Sequence, residues 1–187
     1  MMSRKAFTLV ELIAVIAILG ILGATLFPVV SKFQDRSRST ACASNLRQIG
    51  IAVLAYVGDN NNAYPIIEPN PNSPVYSPDD EAQPIYTALE PYGVTDQILK
   101  CPSDIKGPNY YSQRSQVIDG KKYGSSYQWR VLVDGEYATN IKIYGGRQGA
   151  GVRIVKPSLV TICTDFEGVH SGKANRLYAD GHVLKPN

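Results

Sequence analysis

The most constraining feature of this 187-residue sequence is an apolar segment close to its start. The segment runs from Phe7 to Val30 (FTLVELIAVIAILGILGATLFPVV), and a helix needs about 20 apolar residues to cross a bilayer. Its leader, MMSRKA, carries Arg4 and Lys5, which favour a cytoplasmic N-terminus, although basic residues after the segment weaken that bias. The run exceeds the roughly 7–15 apolar residues of a secretory signal and lacks a clear small-x-small cleavage site, so we expect a membrane anchor.

An acidic residue, Glu11, lies within the first turns of this apolar segment. A charge at the centre of a membrane helix costs roughly 2.5–3.5 kcal/mol on insertion scales, and such residues usually have a partner. The segment contains no basic residue. A cut between Ala6 and Phe7 would create an α-amino group close to Glu11, on the same chain or on a packed neighbour. The sequence therefore predicts a chain that is trimmed before Phe7 and assembled side by side with copies of itself.

The stretch AFTLVELIAVIAILGILGATLFP closely resembles the class III prepilin signal of type IV pilins and type II secretion pseudopilins. The resemblance implies that a prepilin peptidase cuts before Phe7 and methylates its amine, and that Glu11 guides assembly. It also implies a helix bend at Pro28. The sequence departs from the family at Ala6, where glycine is usual; alanine is small enough that we still expect cleavage.

Helical patterning continues beyond the apolar segment. Apolar residues recur at three- and four-residue spacing, which gives one apolar stripe on a helix. The stripe comprises Cys42, Leu46, Ile49, Val53 and Tyr56 or Val57. We expect one helix from about Ala6 to Val57, bent near Pro28 because proline removes a backbone donor and clashes with the preceding turn. The run Gly58–Asn62 favours its termination.

The remaining sequence favours loops and then strands. Residues 58–100 are rich in proline and turn residues, which predicts a loop region. Strand-prone runs follow: Ser125–Val133 with a return over Tyr137–Tyr144 across Asp134-Gly135, then Ser158–Thr164, then a hairpin over Arg176–Leu184. We therefore predict an α+β fold, with a long N-terminal helix packed on a C-terminal antiparallel sheet. The expected divisions are a leader (1–6), a transmembrane and filament-core helix (7–30) and a head (31–187), with its sheet in 101–187.

Short motifs in the head extend the resemblance. The helix exit, with its Asp-Asn-rich turn and following Tyr-Pro, looks like that of major pseudopilins. The sequence HSGKANRLYADG places His170, Asp180 and Gly181 in an H-x9-DG pattern. Together with CPSD from Cys101 and SSY from Ser125, it resembles a bacterial group of prepilin-type proteins with a C-terminal H-x9-DG motif. The resemblance does not say what the motif does.

The head also offers candidate ligands, for which two interpretations stay open. A metal or acid–base site would use Asp165, Glu167, His170, Asp180 and His182, and a calcium site would add the Asn175 oxygen. The structural alternative is that the Asp180 carboxylate binds nearby backbone N–H groups at a turn while the histidines orient loops. We expect the structural role, no cofactor and no catalysis, because nucleophile-elbow, phosphate-loop and HExxH motifs are absent from the sequence.

The three cysteines allow one disulfide. They lack zinc-site spacing, so we expect no structural zinc. Cys163 lies in an apolar strand and suits a buried thiol, which leaves Cys42–Cys101 as the expected bridge in an oxidising compartment.

These features favour a non-enzymatic filament subunit, and the resemblance implies a subunit of a type II secretion pseudopilus or type IV pilus-like filament. The net charge of +3 is too small to suggest a nucleic-acid partner. The resemblance implies other pilin or pseudopilin subunits, a prepilin peptidase, and an assembly ATPase with its inner-membrane platform as partners. It also implies a single-pass protein of the inner membrane with a periplasmic or extracellular head. The alternatives are a surface pilus or adhesin subunit, and a ligand- or metal-binding module displayed on a pilin-type anchor.

Overall fold

The computed structural model describes residues 9–67, 83–105, 116–118, 120–130, 135–143, 153–166, 170 and 174–185. The chain divides into two compact units, Met1–Ser37 and Arg38–Asn187, here called the anchor unit and the head unit.

One long helix, α1, runs from Leu9 to Asp59. It therefore ends two residues beyond the expected Val57; the expected start at Ala6 lies outside the described residues. The following asparagines Asn61 and Asn62 adopt positive φ angles of 54° and 62°, a conformation that asparagine tolerates better than most residues and that stops the helix. Pro28 lies within α1, and the bend expected there stays a prediction.

In the anchor unit, α1 exposes its apolar side chains. Exposed fractions range from 47% at Val15 to 78% at Phe27 among the large apolar residues of this part of the helix. Its most apolar stretch is long and apolar enough to cross a membrane by length and composition.

In the head unit, α1 buries the apolar stripe that the sequence predicts. Cys42, Leu46, Ile49 and Val53 are fully buried, and Val57 is nearly so. Gly50 permits a close approach on this face, because a Cβ there would lie 2.7 Å from Leu177 Cδ1.

The region expected to be loop contains regular structure. A short helix, α2 (Ile85–Leu89), leads into a 3-10 helix at Glu90–Tyr92. The prediction of loop throughout 58–100 was therefore wrong in this part. The prolines of this region led to the loop prediction, although the segment also contains Ala88 and Leu89, which are buried in the core. Tertiary burial stabilises such short helices.

The described strands form three antiparallel sheets. The strands are β1 (Gln116–Ile118), β2 (Lys121–Tyr123), β3 (Tyr127–Trp129), β4 (Ile141–Ile143), β5 (Arg153–Val155), β6 (Thr161–Asp165), β7 (Arg176–Tyr178) and β8 (Val183–Leu184). The largest sheet has the order β3-β6-β7-β8, while β1 pairs with β2 and β4 with β5. The predicted α+β class is confirmed.

One predicted hairpin is wrong and one is confirmed. Among the described residues, Trp129 of β3 lies opposite Cys163 of β6 and β4 pairs with β5, so the predicted pairing of β3 with the Tyr137–Tyr144 region is not found there. Gly135 donates its N–H to the Tyr64 carbonyl near the exit of α1, and β3 and β4 each pair with a strand further along the chain. The last hairpin, β7–β8, forms as predicted.

Candidate functional site

The N-terminal motif residues occupy the anchor unit. Ala6 and Phe7 lie outside the described residues, whereas Glu11 lies in the first turn of α1 and Pro28 within it. The large apolar side chains around them are exposed and form what we call the anchor surface. It comprises Leu9, Val10, Leu12, Ile13, Val15, Ile16, Ile18, Leu19, Ile21, Leu22, Leu26, Phe27, Val29, Val30 and Phe33. An apolar surface this extensive marks a site of contact with a membrane or with another protein.

A disulfide joins α1 to the loop that precedes the strands. Cys42 and Cys101, the pair expected from sequence, are bridged with their Cα atoms 5.1 Å apart. Both are buried, at 0% and 1% exposure. Cys163 is a free and buried thiol. Burial, followed by the nearby Asp165 charge, raises the pKa of Cys163 above its ordinary value, so this thiol stays protonated and unreactive.

The CPSD and SSY motifs meet beside this disulfide. The backbone N–H of Asp104 donates a 2.9 Å hydrogen bond to the Cys101 carbonyl. The Asp104 carboxylate accepts a 2.7 Å hydrogen bond from the Ser126 hydroxyl. Both side chains are buried, so the bond satisfies groups that would otherwise be costly to bury. Two further bonds hold this loop and β3 to α1. Asn45 Nδ2 donates to the Lys100 carbonyl at 3.2 Å, and the Tyr127 hydroxyl to the Cys42 carbonyl at 3.4 Å.

The histidine of the H-x9-DG motif reaches the same disulfide. His170 Nε2 lies 3.5 Å from Cys101 Sγ and 2.9 Å from Asp165 Oδ2. Asp165 is buried and also accepts hydrogen bonds of 2.6 Å from both the backbone N–H and the side-chain amide of Asn175. We call these residues the disulfide cluster: Cys42, Cys101, Asp104, Ser126, Asp165, His170 and Asn175.

The Asp-Gly end of the motif builds the β7–β8 turn instead. Asp180 Oδ1 accepts a 3.2 Å hydrogen bond from the backbone N–H of His182 and also contacts the His182 ring. That ring stacks on Tyr178, with ring centroids 4.3 Å apart. Gly181 has a φ of +87°, in the region that favours glycine. The hydrogen bond from the His182 N–H is the kind of backbone contact expected for Asp180.

The structure also bears on the candidate metal ligands. Within the described part of the chain, the group of ligand atoms close enough to hold an ion is formed by Cys42, Cys101 and His170, within 4.8 Å of one another. The two sulfurs are bonded to each other, whereas metals in proteins are bound by thiolates. Of the acidic candidates, Asp165 meets His170, Asp180 meets His182, and Glu167 lies outside the described residues.

Sequence reasoning missed the contact between His170 and the disulfide. The three partners are far apart in sequence and come from α1, a loop and the β6–β7 connection. Only the co-occurrence of the CPSD, SSY and H-x9-DG motifs could have suggested that they share one site.

Comparisons with known proteins agree with the N-terminal motif and extend into the head. Residues 1–27 match the prokaryotic N-terminal methylation motif. The chain is 30% identical over 132 residues to the type II secretion system core protein G of Pseudomonas aeruginosa (strain PAO1), covering 66% of this chain and 89% of that protein. It is 37% identical over 58 residues to the type IV major pilin protein PilA of Myxococcus xanthus (strain DK1622), covering 31% of this chain and 26% of that protein. No solved structure matches the chain.

Proposed function

Because this chain belongs to the pilin-like family of the type II secretion system core protein G, we propose that it is a subunit of a type II secretion pseudopilus. The observation that carries this proposal is the match to that protein over 89% of its length and 66% of this chain, which is too long to lie in the anchor unit alone. The fold supports it, since α1 exposes apolar side chains in the anchor unit and buries its stripe in the head unit.

The mechanism of such a subunit is polymerisation and not catalysis. In the membrane, the anchor surface would contact lipid, and in a filament it would contact the anchor surfaces of neighbouring copies. Either environment buries apolar area that the isolated chain exposes. The partners are further subunits, a prepilin peptidase, and an assembly ATPase with its inner-membrane platform. Before assembly the subunit spans the inner membrane once, with its head on the non-cytoplasmic side.

The first test concerns processing between Ala6 and Phe7. Intact mass spectrometry of the protein extracted from membranes is expected to show a chain that starts at Phe7 and carries one added methyl group. Co-expression with a catalytically inactive prepilin peptidase is the control and is expected to leave the leader attached. A mature chain that starts beyond Val30 would contradict the proposal, because the anchor surface would have been removed.

The second test concerns the carboxylate of Glu11. Glu11→Leu is expected to insert in the membrane at least as well as wild type, because it removes a charge from an apolar segment. It is expected to assemble poorly, since the proposed pairing with the Phe7 amine of a neighbouring subunit is lost. Sheared-filament yield, compared with membrane content by immunoblot, measures both. Ile13→Leu is the matched control, and wild-type filament yield from Glu11→Leu would argue against this role of Glu11.

The similarity to a type IV major pilin favours a second candidate, a subunit of a surface pilus. The two candidates differ in what the cell loses when the gene is deleted. A pseudopilus subunit is needed for export of secreted enzymes, whereas a pilus subunit is needed for filaments on the cell surface. Assaying culture-supernatant enzymes and surface filaments in the same deletion strain separates them, with export loss expected.

A further inference from the structure

The disulfide cluster places an imidazole against a disulfide sulfur. His170 Nε2 lies 3.5 Å from Cys101 Sγ, and a ring nitrogen of His170 lies within 4.8 Å of Cys42 Sγ. The His170 side chain is 7% exposed, while Cys42 and Cys101 are 0% and 1% exposed. His170 is therefore a slightly exposed side chain in contact with a fully buried bond.

The position of this imidazole is fixed by Asp165, which contacts the same ring nitrogen that faces the sulfur. Asp165 Oδ2 accepts from His170 Nε2 at 2.9 Å, and Asp165 is itself held by the two 2.6 Å hydrogen bonds from Asn175. Asp165 belongs to β6 and Asn175 directly precedes β7, so two central strands of the largest sheet hold the ring. The His170 ring is therefore held beside the Cys42–Cys101 disulfide by hydrogen bonds to the sheet.

Reduction of a disulfide needs access to one of its sulfurs. A thiolate attacks one sulfur along the axis of the S–S bond, forms a mixed disulfide and releases the other cysteine as a thiolate. A second thiolate of the reductant then displaces the first cysteine, so that the reductant is oxidised to a disulfide and both cysteines become thiols by taking protons from water. Because His170 Nε2 lies 3.5 Å from Cys101 Sγ, the imidazole fills space beside this sulfur that a reductant would have to enter.

We propose that His170 is a positioning residue that covers the Cys42–Cys101 disulfide and confines its reduction to molecules whose head has opened. This gives the histidine of the H-x9-DG motif a task that does not depend on the proposed filament. The Asp-Gly end of the motif serves the same sheet by closing the β7–β8 turn.

The test measures the reduction rate of the full-length protein in detergent. The oxidised protein is incubated with dithiothreitol at a series of concentrations, quenched in denaturant with an alkylating reagent, and weighed. Oxidised molecules take up one label, on Cys163, and reduced molecules take up three. For wild type the rate constant is expected to lie far below that of the same protein in denaturant, because only molecules whose head has opened react. A wild-type rate equal to the rate in denaturant would overturn the proposal.

Substitution of His170 supplies the second arm. His170→Ala is expected to be reduced at a rate proportional to dithiothreitol and about tenfold or more faster than wild type at the highest concentration, since it no longer needs the opening step. His170→Asn, which shortens the side chain but keeps an N–H donor near Asp165, is expected to show the same acceleration and serves if the alanine variant does not fold. His182→Ala, which removes the histidine of the β7–β8 turn, is the matched control.

Stability is measured on the same samples, because a destabilised head would also open more often. Urea unfolding, followed by fluorescence of the single tryptophan, Trp129, gives the free energy of unfolding of each variant. The acceleration in the His170 variants is expected to exceed the factor that their stability change explains. Rates that match the wild-type rate, or that follow stability alone, would show that His170 does not cover the bridge.

Discussion

Tyr64 illustrates how one buried polar group constrains the head at the scale of a residue. It is 2% exposed and donates its hydroxyl to the Ala179 carbonyl at 2.8 Å. Burial, assisted by the Asp180 charge, raises the pKa of Tyr64 from 10.0 to about 12. The phenol therefore remains protonated in the folded head at pH values where it ionises in the unfolded chain.

This difference predicts an alkaline loss of stability. Below pH 10 both states keep the proton and Tyr64 does not affect the pH dependence. Between about 10 and 12 the unfolded chain loses the proton first, so the free energy of unfolding falls as pH rises. Tyr64→Phe is expected to cost about 1 kcal/mol at pH 7 by leaving the Ala179 carbonyl unpaired, and to flatten the alkaline slope. Urea unfolding at several pH values, followed by Trp129 fluorescence, measures both effects.

The matched control for this prediction is Tyr137→Phe, because the Tyr137 side chain is exposed. It is expected to leave both the stability at pH 7 and the alkaline slope near those of wild type. In Tyr64→Phe the free energy of unfolding is still expected to fall somewhat at alkaline pH, since burial also raises the pKa of Tyr127. Identical slopes in the two variants would show that Tyr64 does not carry the effect.

At the scale of an element, the β7–β8 hairpin depends on its glycine more than on its aspartate. Gly181 has a φ of +87°, and a Cβ there would lie 2.8 Å from Leu54 Cδ1 of α1. Gly181→Val is therefore expected to destabilise the head by about 2 kcal/mol or more. Asp180→Asn keeps a side-chain acceptor for the His182 N–H and is expected to cost less than about 1 kcal/mol. Thermal unfolding of the two variants ranks them, and the reverse order would contradict this account of the turn.

Calcium tests the alternative role of Asp180 in the same hairpin. If Asp180 ligated calcium, the melting temperature would rise with calcium and fall with chelator, because a ligand that binds only the folded state stabilises it. We expect the melting temperature to change little in either condition, since Asp180 already binds the His182 backbone. A large calcium-dependent rise that Asp180→Asn abolishes would instead make this turn a metal site.

The same hairpin shows which elements can be predicted from sequence. A local Asp-Gly turn between two strand-prone runs forms where the strands it joins are neighbours, as with β7 and β8. The Asp134-Gly135 signal looks similar, yet β3 pairs with β6 and β4 pairs with β5. A local turn signal does not show such nonlocal pairing. The α1 stripe was predictable because helical periodicity is local. The Cys42–Cys101 pair followed from the apolar surroundings of Cys163, but the position of His170 depended on how two sheet strands meet.

At the scale of the whole molecule, the disulfide is expected to dominate the stability of the head. It links residues separated by 59 positions, and closing a loop of that size stabilises a fold by about 4 kcal/mol in the chain-entropy description. Cys42→Ser with Cys101→Ser is expected to lose stability of this order, measured by urea unfolding of the full-length protein. Cys163→Ser is the control, and its expected cost is smaller, since it removes no bridge. Equal losses would place the stabilisation in packing around the sulfurs.

The disulfide also has a mechanical consequence. If a subunit is drawn out of a membrane by its helix, α1 carries a tensile load. Hydrogen bonds and apolar contacts that are loaded one after another then break in sequence. Cys42 is only four positions from Arg38, the first residue of the head unit. Tension that reaches the head therefore meets a covalent cross-link almost at once and passes into the Cys101 loop. With the bridge intact, we expect α1 beyond Cys42 to stay attached to the head under such a load.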